Sequence, residues 1–70
     1  MDNVIASREL KVERKHLLIE FCENELGRFL RITEEAHGRR NIVIVPGTGA
    51  SEFVAHLAAV LAKSGEASPV

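Results

Sequence analysis

One short segment of the chain combines an aromatic ring with two guanidinium groups, at Arg28, Phe29 and Arg31. A ring beside cations can stack on an unpaired base while the cations contact its phosphates. Alternation along a strand would place Phe29 and Arg31 on one face of a sheet, opposite Leu30. A competing interpretation shifts the alternation by one residue and buries Phe29 in the core, and the alternation alone leaves both interpretations open.

The other chemically active residues do not form a catalytic or cofactor-binding pattern. Cys22 and His16 are expected on one face of the same strand, but roughly 20 Å separates them, which excludes a nucleophile–base pair. Residues 47–51 are rich in glycine, yet Ala50 stands where a phosphate-binding Walker turn requires lysine, which favours a plain strand-to-helix turn. The histidines are scattered and the cysteine is single, so we predict no enzyme activity, no metal and no cofactor.

Four strands and one helix would position the Phe29 segment. Alternating side chains predict the strands at residues 3–12, 15–23, 28–34 and 41–45. The predicted connections are two short turns, a polar loop and a glycine turn, at residues 13–14, 24–27, 35–39 and 46–49. Apolar residues at helical spacing predict a helix over residues 50–63. The predicted fold class is α+β, a four-stranded antiparallel sheet followed by a helix that can cover one face and leave the other free.

Length and composition limit the chain to one small domain. A domain of 70 residues buries only about 60% of the surface that its unfolded chain exposes, and a single cysteine can form no internal disulfide. We therefore predict one domain over residues 1–70, with its core in residues 3–63, a tail at residues 64–70, and self-association that buries more surface. The formal net charge of −1 argues against a basic tail that coats nucleic acid unspecifically.

The sequence also bears on the location of the protein. Residues 1–5 lack the basic start and the long apolar run of a signal peptide. No apolar stretch approaches the roughly 20 residues that a membrane helix needs. We predict a cytoplasmic protein with no membrane partner, and association with the nucleoid or the nucleus is the alternative.

A longer pattern of residues surrounds Phe29. Lys15 precedes the pattern Asn24-x-x-Gly27-Arg28-Phe29-Leu30-Arg31-Ile32, and Glu52-Phe53 opens the apolar helix. This arrangement resembles the PUR repeat of Pur-alpha and its relatives, which bind purine-rich single-stranded DNA and RNA. The similarity runs from about Arg8 to Lys63 and agrees with the order of four strands and one helix in that repeat.

The resemblance implies both an architecture and a set of contacts. Two PUR repeats intertwine into a Whirly-like structure of curved sheets with helices that cross over them, so a chain with one repeat is expected to form a homodimer. By the same resemblance, Phe29 is the base-stacking residue. The other residues that it implies for nucleic-acid binding are Lys15, Asn24, Arg28 and Arg31.

Two functional hypotheses follow. The first is a homodimer that binds purine-rich single-stranded DNA or RNA and acts in transcriptional or RNA-level regulation. The second is a protein-interaction or dimerisation module without significant nucleic-acid affinity, favoured by the net charge and by departures from the family pattern. The family commonly has Lys-Arg-Phe-Tyr where this chain has Lys15-His16-Leu17-Leu18, and Cys22 replaces a basic residue.

Overall fold

A computed structural model of the chain describes residues 1–64, which form one antiparallel sheet followed by a helix. The strands are β1 (Asn3–Val12), β2 (Lys15–Asn24), β3 (Gly27–Ala36) and β4 (Arg39–Pro46). They pair in chain order, so each strand is hydrogen-bonded to the strand before it. A 3₁₀ turn, Gly47–Gly49, leads into helix α1 (Ala50–Ser64). The predicted order of four strands and one helix is confirmed; Ser64 ends the helix, and the remainder of the predicted tail, residues 65–70, lies outside the described residues.

The connection between β3 and β4 is shorter than the sequence predicted. His37 and Gly38 both have positive φ, 53° and 76°, as the two central residues of a type I′ turn require. The backbone twist of such a turn matches the twist of the strands, so pairing continues up to Ala36 and Arg39. The predicted polar loop over residues 35–39 is therefore wrong, and two residues suffice for the turn.

Cross-strand pairing divides the sheet into two faces. The Phe29 face carries His16, Leu18, Glu20, Cys22, Phe29, Arg31, Thr33, Glu35, Arg40, Ile42 and Ile44. The opposite, apolar face carries Leu10, Leu17, Ile19, Phe21, Leu30, Ile32, Val43 and Val45. Along β3 the predicted alternation is confirmed, because Phe29 and Arg31 lie on the face opposite Leu30. The interpretation that assigns Phe29 to the core stays a prediction, because Phe29 is half-buried and its face also carries the buried Cys22 and Thr33.

Helix α1 meets its own sheet near its first turn, on the apolar face. A hollow at this point is lined by Phe21, Gly47, Ala50, Ser51 and Val54. Phe53 is half-buried, whereas the side chains from Val54 to Lys63 are exposed. The expectation that the helix covers one face is therefore wrong for a single chain. Within residues 1–64, no helix is long and apolar enough to span a membrane.

The backbone passes close to β3 at Gly47. A Cβ atom added to Gly47 would lie 2.7 Å from the backbone oxygen of Arg28, which is closer than carbon and oxygen can approach. Only glycine fits this position without a shift of the main chain. Gly47 therefore fixes where the chain leaves the sheet and where helix α1 begins.

The core of a single chain is thin. Within residues 1–64, Cys22 is the only apolar side chain that is fully buried. Beyond Phe53, the large apolar side chains on the helix are at least half exposed, with Leu57 at 50% and Val60 at 65%. A chain with so little buried apolar surface is expected to gain stability from an additional layer against its apolar face.

Candidate nucleic-acid interface

The side chain of Phe29 borders an open hollow at one end of the Phe29 face. Across the sheet, Phe29 pairs with Cys22 on β2 and with Pro46 on β4. It is half-buried, which leaves part of the residue accessible from the hollow. The Phe29 hollow is lined by Asp2, Asn24, Leu26, Gly27, Arg28, Phe29, Arg31, Ile44 and Pro46. Apolar surface from Phe29, Ile44 and Pro46 thus lies beside several hydrogen-bond donors.

Cys22 is a buried apolar side chain at this end of the sheet. It is the cross-strand partner of Phe29 and has no exposed area. Burial raises the pKa of the Cys22 thiol above its ordinary value, which keeps the sulfur protonated and uncharged at neutral pH. The position therefore supports Phe29 by packing and adds no charge to the site.

Arg31 is held next to the ring of Phe29. Its guanidinium carbon lies 6.0 Å from the ring centroid, at the limit of a cation–π contact. Its Nε donates a hydrogen bond to Oε1 of Glu20 at 2.9 Å, and this bond raises the pKa of Arg31 further above its ordinary value. Arg31 is therefore charged and fixed in orientation, two strand positions from the aromatic ring.

Two carboxylates at this site were not among the predicted residues. Glu20 is the cross-strand partner of Arg31, a pairing that follows from the register of the β2–β3 hairpin once its turn is located. Asp2 accepts a hydrogen bond from Nη1 of Arg31 at 3.3 Å. No sequence signal identifies Asp2, because the register of β1 against β2 shifts between Val4 and Ala6.

Asn24 forms the turn that precedes Phe29. Its Oδ1 accepts a hydrogen bond from the backbone N–H of Leu26 at 2.9 Å, the geometry of an Asx turn. Its Nδ2 donates to Oδ1 of Asp2 at 3.2 Å. Gly27, with φ of 130°, completes the turn in a conformation that favours glycine. The structure therefore places Asn24 at the Phe29 hollow with its amide engaged in local hydrogen bonds.

Arg28 lines the same hollow although, as the neighbour of Phe29 on β3, it alternates onto the opposite face of the strand. It pairs with Glu23, one position out of step with Phe29, and its Nε lies 3.4 Å from Oε2 of Glu23. Its side chain is exposed and still lines the Phe29 hollow. Arg28 therefore supplies a positive charge at the rim of the hollow.

Lys15 is not brought to the Phe29 hollow. It lies seven residues before Cys22 on β2, a separation of about 23 Å along the strand, and its pairing with Val12 places it on the apolar face. Its Nζ lies 2.8 Å from Oε2 of Glu34. The hydrogen bond to Glu34 raises the pKa of Lys15 and lowers that of Glu34. The predicted binding residues therefore form one cluster, Asn24, Arg28, Phe29 and Arg31, with Lys15 separate from it.

The described residues offer no alternative metal site. Among residues 1–64, no group of three or more His, Cys, Asp or Glu side chains is close enough to hold a metal ion. The acidic residues beside Phe29 instead accept hydrogen bonds from arginine and asparagine. The arrangement therefore combines an aromatic ring with cations whose charges are locally balanced.

Comparison with known proteins gives two matches. The sequence profile of the family described as "PurA ssDNA and RNA-binding protein" matches residues 1–68. The chain is also similar to "Transcription factor Pur-alpha 1" of Arabidopsis thaliana, with 38% identity over 53 residues. That alignment covers 76% of this chain and 18% of the Arabidopsis protein, so the chain corresponds to under a fifth of that relative. No solved structure matches the chain significantly.

Proposed function

Since the chain belongs to the PurA family of single-stranded DNA- and RNA-binding proteins, we propose that it binds single-stranded nucleic acid as a homodimer. The proposed ligand is purine-rich DNA or RNA, and the proposed role is regulation of transcription or of RNA. Phe29 stacks on a base, and Arg28 and Arg31 contact phosphate oxygens or base edges. The proposal rests on the family match together with the Phe29 hollow.

One observation carries the binding proposal. Phe29 borders an open hollow with the guanidinium of Arg31 6.0 Å from its ring centroid. Stacking of a base on an aromatic side chain contributes about 1–3 kcal/mol, and it accepts any base because every base has a π face. An aromatic ring with adjacent cations at an open hollow is the combination that proteins use to bind single strands.

Local charge balance determines how a phosphate would bind. Arg31 is paired with Glu20 and Asp2, and Arg28 is paired with Glu23. A phosphate oxygen must share or replace these carboxylates, so its attraction to the site is partly offset. Because phosphate contacts release counterions from the nucleic acid, affinity is expected to fall as salt concentration rises.

The exposed apolar surface supports the homodimer. One chain leaves Val43 of the apolar face and Val54 and Leu57 of the helix about half exposed. Helix α1 is about 22 Å long at 1.5 Å per residue, long enough to lie across a four-stranded sheet. A helix from a second copy would provide the layer that the apolar face lacks in one chain. The same reasoning makes a dimerisation module without nucleic-acid affinity the second candidate, favoured by the carboxylates that balance each cation of the site.

A titration with fluorescently labelled purine-rich single strands separates the two candidates. Wild-type protein is titrated at low and at high salt, alongside Phe29→Ala and the matched control Phe29→Tyr, which keeps the ring. We expect binding that weakens with salt, retention by Phe29→Tyr and a loss of about 1–3 kcal/mol for Phe29→Ala. Circular dichroism and gel filtration establish that each variant folds and associates like wild type.

Two results contradict the proposal. Absence of wild-type binding at low salt leaves the dimerisation module as the better description. Unfolding of Phe29→Ala would assign Phe29 to the core and remove it from the binding surface.

A further inference from the structure

A second hollow lies on the Phe29 face, beyond Arg31 toward the β3–β4 turn. The Arg40 hollow is lined by His16, Leu18, Glu20, Arg31, Thr33, Glu35, Arg40 and Ile42. Arg31 borders both this hollow and the Phe29 hollow. The two hollows are therefore consecutive sites along β3 on one face of the sheet, with a shared cation between them.

The cation at the far rim of the Arg40 hollow is oriented and available to a ligand. Nε and Nη2 of Arg40 donate to Oε2 of Glu35 at 2.9 and 2.6 Å, and this interaction lowers the pKa of Glu35. The side chain of Arg40 is nonetheless exposed. A guanidinium has five N–H donors, so a phosphate can bind the donors that do not face Glu35.

The floor of this hollow is apolar. Leu18 is half-buried, and Ile42 leaves about half of its side chain exposed. Thr33 lies between them in the register, paired with Leu18 on one side and with Ile42 on the other. Helix α1 starts on the opposite face of the sheet, so it does not cover this floor. Exposed apolar surface beside an oriented guanidinium suits the base and phosphate of a nucleotide.

The spacing of the two hollows fits a continuous single strand. Phe29 and Thr33 are four residues apart on β3, a distance of about 13 Å. At the B-form rise of about 3.4 Å per nucleotide, this corresponds to about four steps, and an extended strand needs fewer. One oligonucleotide of several nucleotides can therefore reach both hollows, whereas a dinucleotide, which has a single step, cannot.

We propose that the Arg40 hollow is a second nucleotide subsite, in which Arg40 binds a phosphate and Ile42 supports a base of the strand that stacks on Phe29. This inference rests on the proposed single-stranded nucleic-acid binding. It specifies the course of the ligand along β3, from the β2–β3 turn toward the β3–β4 turn. His16 stands at the rim with its Nε2 2.8 Å from Oε2 of Glu9, and it borders the path of the strand.

The test compares two neighbouring arginines with oligonucleotides of two lengths. Arg40→Gln removes the subsite cation, and the control Arg39→Gln removes the same charge one residue away, at a position that pairs with Ala36 and does not line the Arg40 hollow. Each protein is titrated with labelled purine-rich single strands of two and of eight nucleotides over a range of salt concentrations. Gel filtration measures the oligomeric state of each variant.

We expect Arg40→Gln to weaken binding of the eight-nucleotide strand and leave binding of the two-nucleotide strand unaffected. Loss of one phosphate contact also lowers the slope of log K against log salt by about 0.7 for a single strand, a change that a purely structural role would not produce. Arg39→Gln is expected to retain the wild-type slope and the wild-type preference for the longer strand.

Three results overturn the subsite. The first is an equal effect of the two variants, which would reflect net charge. The second is a wild-type affinity that depends on Phe29 but not on length beyond two nucleotides, which leaves the proposed function intact. The third is a change of oligomeric state in Arg40→Gln alone, which would identify this surface as a protein interface. Absence of wild-type binding to either strand overturns the proposed function itself and is thereby distinguished from these three.

Discussion

Asp2, which precedes β1, forms an ion pair with Arg31 on β3. Oδ2 of Asp2 lies 3.3 Å from Nη1 of Arg31. The other carboxylate oxygen of Asp2 accepts a hydrogen bond from Nδ2 of Asn24 at 3.2 Å. One carboxylate therefore occupies two donors beside Phe29. Glu20, the second partner of Arg31, is 13% exposed, whereas Asp2 is 41% exposed and more easily displaced. The two carboxylates therefore differ: Glu20 orients Arg31, and Asp2 would compete with a phosphate in the proposed complex.

Removing the charge of Asp2 is expected to strengthen nucleic-acid binding. Asp2→Asn weakens the competition for Arg31 and for the amide of Asn24, and an exposed ion pair contributes about 0.2–1 kcal/mol, so affinity should rise by up to about fivefold. Fluorescence anisotropy with a purine-rich single strand measures the change. Glu25→Gln is the matched control, because Glu25 is exposed near the same turn and its ion-pair partner is the terminal amine of Met1. An equal gain in both variants would indicate net charge and contradict direct competition by Asp2.

Two glycines between β4 and helix α1 are expected to differ in how much stability is lost on substitution by alanine. Gly47→Ala places a Cβ 2.7 Å from the backbone oxygen of Arg28, and a backbone atom cannot move away cheaply. We expect Gly47→Ala to destabilise the protein by about 1–3 kcal/mol in urea unfolding. Gly49→Ala is the control, since nothing lies within 4 Å of its added Cβ. A stability of Gly47→Ala equal to that of Gly49→Ala would show that the approach to β3 is not a constraint.

The exposed face of helix α1 predicts the effect of a charge on association. Leu57 is 50% exposed in the single chain, so Leu57→Glu should leave one chain little changed but disrupt a dimer that buries this side chain. Ala59 lies about 200° further around the helix, on the opposite side, and Ala59→Glu adds the same charge there. Sedimentation velocity over a range of concentrations measures both. A dimer that tolerates Leu57→Glu as well as Ala59→Glu would exclude this face of the helix from the interface.

The ion pair of Lys15 and Glu34 predicts how stability depends on pH. The hydrogen bond from Lys15, followed by that from Asn41, lowers the pKa of Glu34 in the folded state. The stabilisation is therefore present above the unfolded pKa of about 4.3 and is lost as the pH falls through the lower folded value. For Lys15 the folded pKa is raised, so its contribution persists at neutral pH and is lost only as the pH rises through that folded value.

Thermal unfolding at neutral pH and near pH 3 measures the contribution of Glu34. Wild type should lose more stability on acidification than Glu34→Gln, which carries no carboxylate at this position. Lys15→Gln should have a similarly reduced loss, because the carboxylate then lacks its cation. Parallel pH profiles for wild type and both variants would mean that this exposed pair contributes nothing measurable.

Local patterns in the sequence account for most of the fold and for the position of Phe29 in the candidate site. Period-two alternation located all four strands. It also placed Phe29 on the face opposite Leu30, because the register that gathers the apolar side chains on one face puts Phe29 on the other. The same alternation places Lys15 with Leu17 on the apolar face. The resemblance to the family groups Lys15 with Phe29, whereas the structure places the two residues on opposite faces and far apart along the strands.

The remaining features depend on contacts that are distant in sequence. Asp2 approaches Arg31 only after an irregularity between Val4 and Ala6 shifts the register of β1. The direction of helix α1 depends on the close passage of Gly47 over the Arg28 carbonyl, which no pattern of side chains encodes. Periodicity thus predicted the elements and their faces, while the approach of separate segments required the structure.

The order of strands in the sheet has a kinetic consequence. Because every strand pairs with its neighbour in sequence, each hairpin closes over a turn of two residues and the average contact is local. Low contact order favours rapid folding, and hairpins form in about 1–10 μs. If the apolar face is completed by a second chain, the slow step in reaching the native state becomes an encounter between two chains. Refolding would then accelerate as protein concentration rises, and thermal stability would increase with it.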